Sequence, residues 1–241
     1  MVTIGGEMKN WTVVVKQIKK QKIGFINHTN YLLNSNADSH KNTIIRPIGD
    51  VQKAIDNTLQ EVENRKLLRK KQGKRGGAIQ NFSTSFVLAL PTEIKASGKE
   101  WAKITTFVLQ RLVSDLELDY ELVRQCAVAV LHDEQGMKPS HVHLLIPNII
   151  DGTFHKEITQ HKAVYSVKQG FNKAVLETLG LDHKKHRPKK ASPLKSPMDD
   201  AYDQALEEIR KEVNNALNED SNIPKKNRQR RRRSNPFDSK N

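Results

Sequence analysis

The chain has 241 residues, and its 41 Lys and Arg against 27 Asp and Glu give a formal net charge of +14. Such a charge favours a polyanionic partner, either nucleic acid or an anionic membrane surface. The sequence contains no apolar span of roughly 18 residues and no secretory segment, so we expect a cytoplasmic protein without membrane insertion. The single cysteine, Cys126, excludes an intrachain disulfide and a zinc site built from cysteines.

Length and composition predict one domain followed by a tail. Residues 1–182 are enough for one domain with a buried core. In residues 183–241 Lys, Arg, Pro and Ser dominate, which predicts a basic and largely disordered tail. The apolar spacing at 199–217 allows one short helix there, which would dock on a partner protein or pack back on the domain.

Two strands and three helices are predicted from the apolar residues along the domain. Runs rich in β-branched residues predict strands, and apolar residues at helical spacing predict helices that cover a sheet. The last helix ends before a glycine, which suits a helix C-cap. The strands are Trp11–Val15 and Phe82–Leu90, and the helices are Val51–Leu68, Trp101–Leu116 and Val164–Leu179.

Two further apolar segments, Cys126–Leu131 and Val142–Ile146, are joined by a turn-rich connector and predict a β-hairpin. Because alternate residues of a strand point to the same side, His141 and His143 project together. The hairpin places His132, at the end of the preceding strand, beside that pair. The expected fold is therefore α/β of the α+β type, with a central antiparallel sheet carrying the histidines and helices on one face.

Three imidazoles with open coordination positions are typical of a catalytic metal, whereas a structural zinc takes four protein ligands. We therefore predict a divalent metal site at His132, His141 and His143, and three imidazoles accept several divalent ions. The alternative is a chance His-x-His pair that holds no catalytic metal.

The histidine segment also carries a recognisable motif, His132-Asp-Glu, then Pro139, then His141-Val-His143. This pattern resembles the third motif of the HUH endonucleases, specifically the plasmid mobilisation relaxases. The resemblance implies a metal-dependent enzyme, with Mg²⁺ or Mn²⁺ as the expected ion, that nicks one DNA strand at a plasmid origin of transfer for conjugative mobilisation. The partners it implies are single-stranded origin DNA, an accessory mobilisation protein and a conjugative coupling protein.

Three residues are candidates for the nucleophile. Asn30-Tyr31-Leu-Leu is similar to the Tyr-Leu-Leu segment of colicin-plasmid mobilisation proteins, which implies that Tyr31 attacks DNA and forms a 5′-phosphotyrosyl intermediate. Tyr165-Ser-Val-Lys resembles the Tyr-x-x-Lys helix of rolling-circle replication initiators, which makes such an initiator the first alternative function. His28 is the third candidate, by resemblance to relaxases that attack with a histidine. A non-catalytic nucleic-acid-binding protein is the second alternative function.

Two basic runs predict contacts with DNA phosphates, although a solvated surface is the competing interpretation of each. The remaining histidines of the domain, His40, His155 and His161, are expected at the surface. The predicted phosphate contacts are Arg69, Lys70, Lys71, Lys74 and Arg75 in one run, and Arg230, Arg231, Arg232 and Arg233 in the other.

Overall fold

The structure is a computed structural model that describes residues 11–74, 79–135 and 138–185. Its strands are β1 (Thr12–Ile18), β2 (Thr43–Ile48), β3 (Ser83–Ala89), β4 (Val128–Glu134), β5 (His141–Pro147), β6 (Ile149–Ile150) and β7 (Thr153–Phe154). Its α-helices are α1 (Gln21–Leu33), α2 (Val51–Lys71), α3 (Gly98–Asp115), α4 (Tyr120–Cys126) and α5 (His161–Leu179).

Five of the strands form one antiparallel sheet in the order β1-β3-β5-β4-β2. The fold is therefore of the α+β type, as the sequence predicts. The central strand is β5, which begins at His141 and lies between β3 and β4. Strands β6 and β7 form a separate two-stranded ribbon that follows β5.

Local sequence signals explain the two helices that pack most closely together, α3 and α5. Helix α3 begins with a capping box in which Ser97 and Glu100 each satisfy a backbone N–H of the other. Helix α5 ends at Gly180, whose φ of 69° lies in the left-handed region that favours glycine. Both helices bury an apolar stripe, so the predicted helices at these positions are confirmed.

Helices cover both faces of the sheet. Leu131, Val142 and Leu144 point to the face on which α3 and α5 pack. Val130 and Leu145 point to the other face, where they meet the buried side chains of α1 and α2. The prediction of helices on one face is therefore wrong. Because β4 and β5 are apolar on both sides along their buried parts, each side needs its own apolar cover.

Several predictions fall on residues that the structure does not describe. These are the tail after residue 185 with its helix at 199–217, and the phosphate contacts Arg75, Arg230, Arg231, Arg232 and Arg233. Within the described part of the chain, no helix combines the length and apolar character needed to cross a bilayer.

Candidate metal centre

The β4–β5 hairpin brings three histidines together. Its register pairs His132 directly with His141, and His143 lies two residues further along β5. One ligand atom from each of the three rings can be chosen so that all three lie within 4.8 Å of one another. The ring centroid of His132 is 5.2 Å from that of His141 and 4.6 Å from that of His143.

The alternation of the strands explains why the three rings share one side. Leu131, Val142 and Leu144 occupy the intervening positions and point into the core under α3 and α5. The histidines therefore project from the opposite face, the side on which α1 lies. His132 is only 2% exposed, whereas His141 and His143 are half-buried.

Two of the histidines donate a ring N–H to a backbone carbonyl. The Nε2 of His132 lies 2.9 Å from the Leu32 carbonyl oxygen, and the Nδ1 of His141 lies 3.0 Å from that of Pro139. Because a carbonyl oxygen only accepts, these nitrogens carry the protons. The lone pair is then left on the other nitrogen of each ring, and such a contact is typical of a metal-binding histidine.

The third ring has a nitrogen that the protein does not satisfy. The Nδ1 of His143 is buried and has no hydrogen-bond partner among the described residues. Burial is the main reason that the pKa of His143 falls well below its usual value, and His141 and His132 lower it further. Burial likewise lowers the pKa of His132 to about 4. Both imidazoles are therefore neutral at pH 7, the form that binds metal.

Helix α1 carries two candidate nucleophiles to the edge of this cluster. The ring of His28 lies 6.5 Å from that of His143, and its buried Nε2 has no hydrogen-bond partner among the described residues. Burial and then the charge of Lys16 lower the pKa of His28. Tyr31 is 45% exposed, and its hydroxyl lies 3.0 Å from the Oγ of Ser39.

His40 belongs to the site, which the sequence did not indicate. It is only 4% exposed, and its ring centroid lies 4.8 Å from that of Tyr31 and 4.6 Å from that of His132. Its Nδ1 donates to the Asn34 carbonyl oxygen over 2.7 Å. The expectation of a surface position is therefore wrong for His40, because the polar loop that carries it folds back under α1. His161 is exposed as expected.

The acidic residues that follow His132 hold the hairpin in place. Asp133 pairs with Arg46 over 3.3 Å, and Glu134 accepts from the Oγ1 of Thr43 over 3.0 Å. Ser140, which precedes the His-x-His pair, donates to Asp133 and accepts from the backbone N–H of Glu134. These contacts fix the strand ends that carry the histidines. His155, half-buried, pairs with Glu157 elsewhere on the domain.

The other sequence candidates lie away from the cluster. Tyr165 is 57% exposed on α5, in the helix layer that covers the face opposite the histidines. Arg69, Lys70 and Lys71 form the last turn of α2, and Lys74 follows that turn. The structure thus groups Tyr31 and His28 with the three clustered histidines and leaves Tyr165 apart from them.

Comparison of the chain with protein-family models, with curated proteins and with solved structures yields no match. The geometry alone therefore defines the kind of site. It is a partly buried cluster of three histidines that can hold a metal ion, and three protein ligands leave coordination positions for water or a substrate.

Proposed function

We propose that the protein is a metal-dependent relaxase of the HUH type, which nicks one strand of DNA with Tyr31 as the nucleophile. The observation that carries this proposal is the hydrogen bond between His132 and the Leu32 carbonyl. This bond joins the residue next to Tyr31 to the cluster, so the candidate nucleophile and the candidate metal ligands belong to one unit. A role in plasmid mobilisation rests on the sequence motif at His132–His143.

The reaction is a transesterification. The phenol oxygen of Tyr31 forms a bond to the scissile phosphorus as the bond from phosphorus to the 3′ oxygen breaks. The phenolic proton leaves through solvent or a base, and the departing 3′ oxygen gains a proton. The product is a 5′-phosphotyrosyl ester that keeps a phosphodiester-like bond for rejoining the strand.

The side chains divide this work. Tyr31 is accessible to a strand in solvent, while Ser39 and His40 hold its hydroxyl and ring. A divalent ion held by the three histidines would polarise the scissile phosphate and stabilise its developing charge. Neutral rings at His132 and His143 keep the cluster ready for that ion at pH 7.

His28 is the second candidate nucleophile within the same function. Its ring faces that of His143, and its Nε2 has no partner among the described residues. A histidine would form a phosphoramidate adduct, which is labile in acid, whereas a phosphotyrosyl ester is stable there. The replication-initiator alternative gains no support from the position of Tyr165 on the opposite face.

Formation of a covalent adduct tests the proposal. Labelled single strands that tile both strands of the DNA around the gene are incubated with purified protein and Mn²⁺, with or without chelator, and separated on denaturing gels. We expect a metal-dependent, acid-stable adduct that Tyr31→Phe abolishes and Tyr165→Phe preserves. Loss of the adduct in Tyr165→Phe alone would support the replication initiator. Binding to DNA with no adduct on any strand would leave the non-catalytic alternative.

A further inference from the structure

Two basic grooves lie on the histidine side of the domain. The first groove, of about 740 Å³, lies between the end of β1 and the start of α1. The second groove, of about 370 Å³, lies beside the C-terminal half of α2. The first is lined by Val15, Lys16, Gln17, Ile18, Lys19, Lys20, Gly24, Asn27 and His28. The second is lined by Gln21, Val62, Arg65, Lys66, Arg69, Lys70, Lys74, Ile79, Phe82 and Ile149.

The two grooves meet where β1 turns into α1. Lys20 lines the first groove and Gln21, its neighbour in the chain, lines the second. Among the described lining residues three lysines belong to the first groove and five cationic residues to the second, and none is Asp or Glu. The cationic side chains therefore form a continuous track, to which a chain of phosphates is the complementary ligand.

One end of this track reaches the metal centre. His28 lines the first groove, and its ring lies 6.5 Å from the ring of His143. The other end lies beside Ile149, which is six residues beyond His143 along the β5 direction. At the rise of an extended strand this separation is about 20 Å, which several nucleotides of an extended strand can span.

The second groove suits a nucleotide rather than a simple anion. Its floor is apolar, with Val62, Ile79 and Phe82, and its rim is basic. An apolar floor gives a base a dry surface, while a basic rim holds the backbone, the combination found in proteins that bind single strands. A duplex keeps its bases paired and gives such a floor no ligand.

The cations of the second groove differ in their contacts with the rest of the protein. Arg65 donates to the Gly152 carbonyl oxygen, and Lys66 pairs with Glu63 over 2.7 Å. Arg65 is thereby tied to the turn between β6 and β7, and Lys66 to its own helix. Lys70 and Lys74, at and beyond the helix end, are exposed and provide the charges for the backbone.

We propose that the two grooves together bind one single strand of DNA that runs from the metal centre, along Lys16, Lys19 and Lys20, to the second groove, which Lys70 and Lys74 line. The assignment of the metal centre as the nicking site rests on the proposed function. The groove assignment rests on charge and shape alone, so the two can be tested separately.

The test is the salt dependence of binding to a labelled 20-nucleotide single strand of mixed sequence, measured by fluorescence anisotropy on the full chain. The first-groove variant is Lys16→Gln/Lys19→Gln/Lys20→Gln, and the second-groove variant is Lys70→Gln/Lys74→Gln. The control is Lys95→Gln/Lys99→Gln/Lys103→Gln, which removes three exposed charges at and before α3, on the other face of the sheet. Every variant keeps the tail, so the tail contributes equally.

We expect one strand to bind per chain. The slope of log K against log salt should decrease in magnitude by about 2 in the first-groove variant and by about 1 in the second-groove variant. The reason is that each phosphate contact on a single strand contributes about 0.7 to the slope. Affinity at low salt falls about tenfold or more for the triple variant. The control slope stays near that of the unaltered protein. Equal falls in the control and the groove variants would overturn the proposal, because net charge alone would then explain them.

The adduct assay keeps the two proposals apart. Reduced slopes in the groove variants, with no adduct from the unaltered protein on any strand, would uphold the groove and reject the nicking function. An adduct from the unaltered protein, with slopes unchanged in both groove variants, would uphold the nicking function and reject the groove. Far-UV circular dichroism confirms that each variant is folded.

Discussion

His40 fills the space between Tyr31 and His132 and is almost completely buried. Its Nδ1–H satisfies the carbonyl of Asn34, which holds the loop after α1 in place. The residue therefore positions both the candidate nucleophile and one candidate ligand, although its own sequence surroundings are polar.

Replacing His40 tests this role in stability. We expect His40→Phe to keep the ring packing but to leave the Asn34 carbonyl without its donor, which destabilises the protein by about 1–3 kcal/mol. His40→Ala also leaves a cavity and costs more. Urea unfolding measures both, with His161→Ala as an exposed control that changes the free energy of unfolding by about 0.5 kcal/mol or less. A free energy unchanged in His40→Phe would contradict the assigned hydrogen bond.

Cys126 is buried at the end of α4, and burial raises the pKa of its thiol, whereas burial lowers the pKa of the histidines. Burial, and then the charge of Glu61, raise the pKa of Cys126 to about 11. We expect almost no reaction with a disulfide reagent at pH 8 in the native protein and full reaction in guanidinium, because the reactive species is the thiolate. Rapid native-state labelling would show that this region opens readily.

Among the elements, those with strong periodicity could be predicted from the sequence and those held by tertiary contacts could not. Helix α3 repeats apolar residues at the helical period, and the alternation over the first four residues of β5 is what placed His141 and His143 on the same side. In α1 the fully buried apolar side chains, Phe25 and Leu32, are seven residues apart. Only Thr29 is buried between them, so the apolar stripe of α1 is sparse and gives a weak local signal for a helix.

The site divides in the same way. The three histidines of the candidate metal centre follow from strand alternation and one hairpin, both of which are local. His40 enters the site through a loop whose path depends on the carbonyl of Asn34 and on the packing of α1. The position of α1 and α2 on the histidine face was missed for a related reason, since covering Val130 and Leu145 is a tertiary requirement.

Helix α1 should respond to metal more than any other helix. It has no side-chain cap at its N-terminus, and its last turn is tied to the cluster through the Leu32 carbonyl and His132. An ion at the cluster fixes the ring that donates to this carbonyl. We expect chelation to speed amide hydrogen exchange at the C-terminal turn of α1, while α3 and α5 remain protected. An equal increase in all three helices would instead indicate global destabilisation.

Across the whole domain, the larger apolar core and the histidine cluster lie on opposite faces of the sheet. One face packs against α3 and α5 in the larger apolar core and carries none of the three cluster histidines. The other face packs a smaller core under α1 and α2 and exposes the cluster at the start of β5. Substitutions of the cluster can therefore remove metal binding while the larger core keeps the fold.

The stability of the metal-free protein should fall in mild acid, because His132 and His143 are buried as neutral rings. Their folded-state pKa values lie below the ordinary value of 6.5, mainly through burial. Below pH 6.5 the unfolded chain therefore binds protons that the folded chain excludes, and stability is lost as the pH falls toward the folded pKa of His132, about 4. About one pH unit above 6.5 and higher, both states are neutral at these rings and the full stability is present.

Urea unfolding of chelated protein at pH 7.5, 6.5 and 5.5 measures this loss. From pH 7.5 to 5.5 we expect the free energy of unfolding to fall by about 1.4 kcal/mol for each histidine, or about 3 kcal/mol for both. His132→Asn/His143→Asn should remove most of this dependence, and the exposed control His161→Gln should keep it. Since metal binds only the neutral rings, added Mn²⁺ should stabilise the protein more at pH 7.5 than at pH 5.5. If the free energy of unfolding of the unaltered, chelated protein did not change with pH, the folded cluster would bind protons as readily as the unfolded chain does. That result would contradict the exclusion of protons from the buried ring of His132.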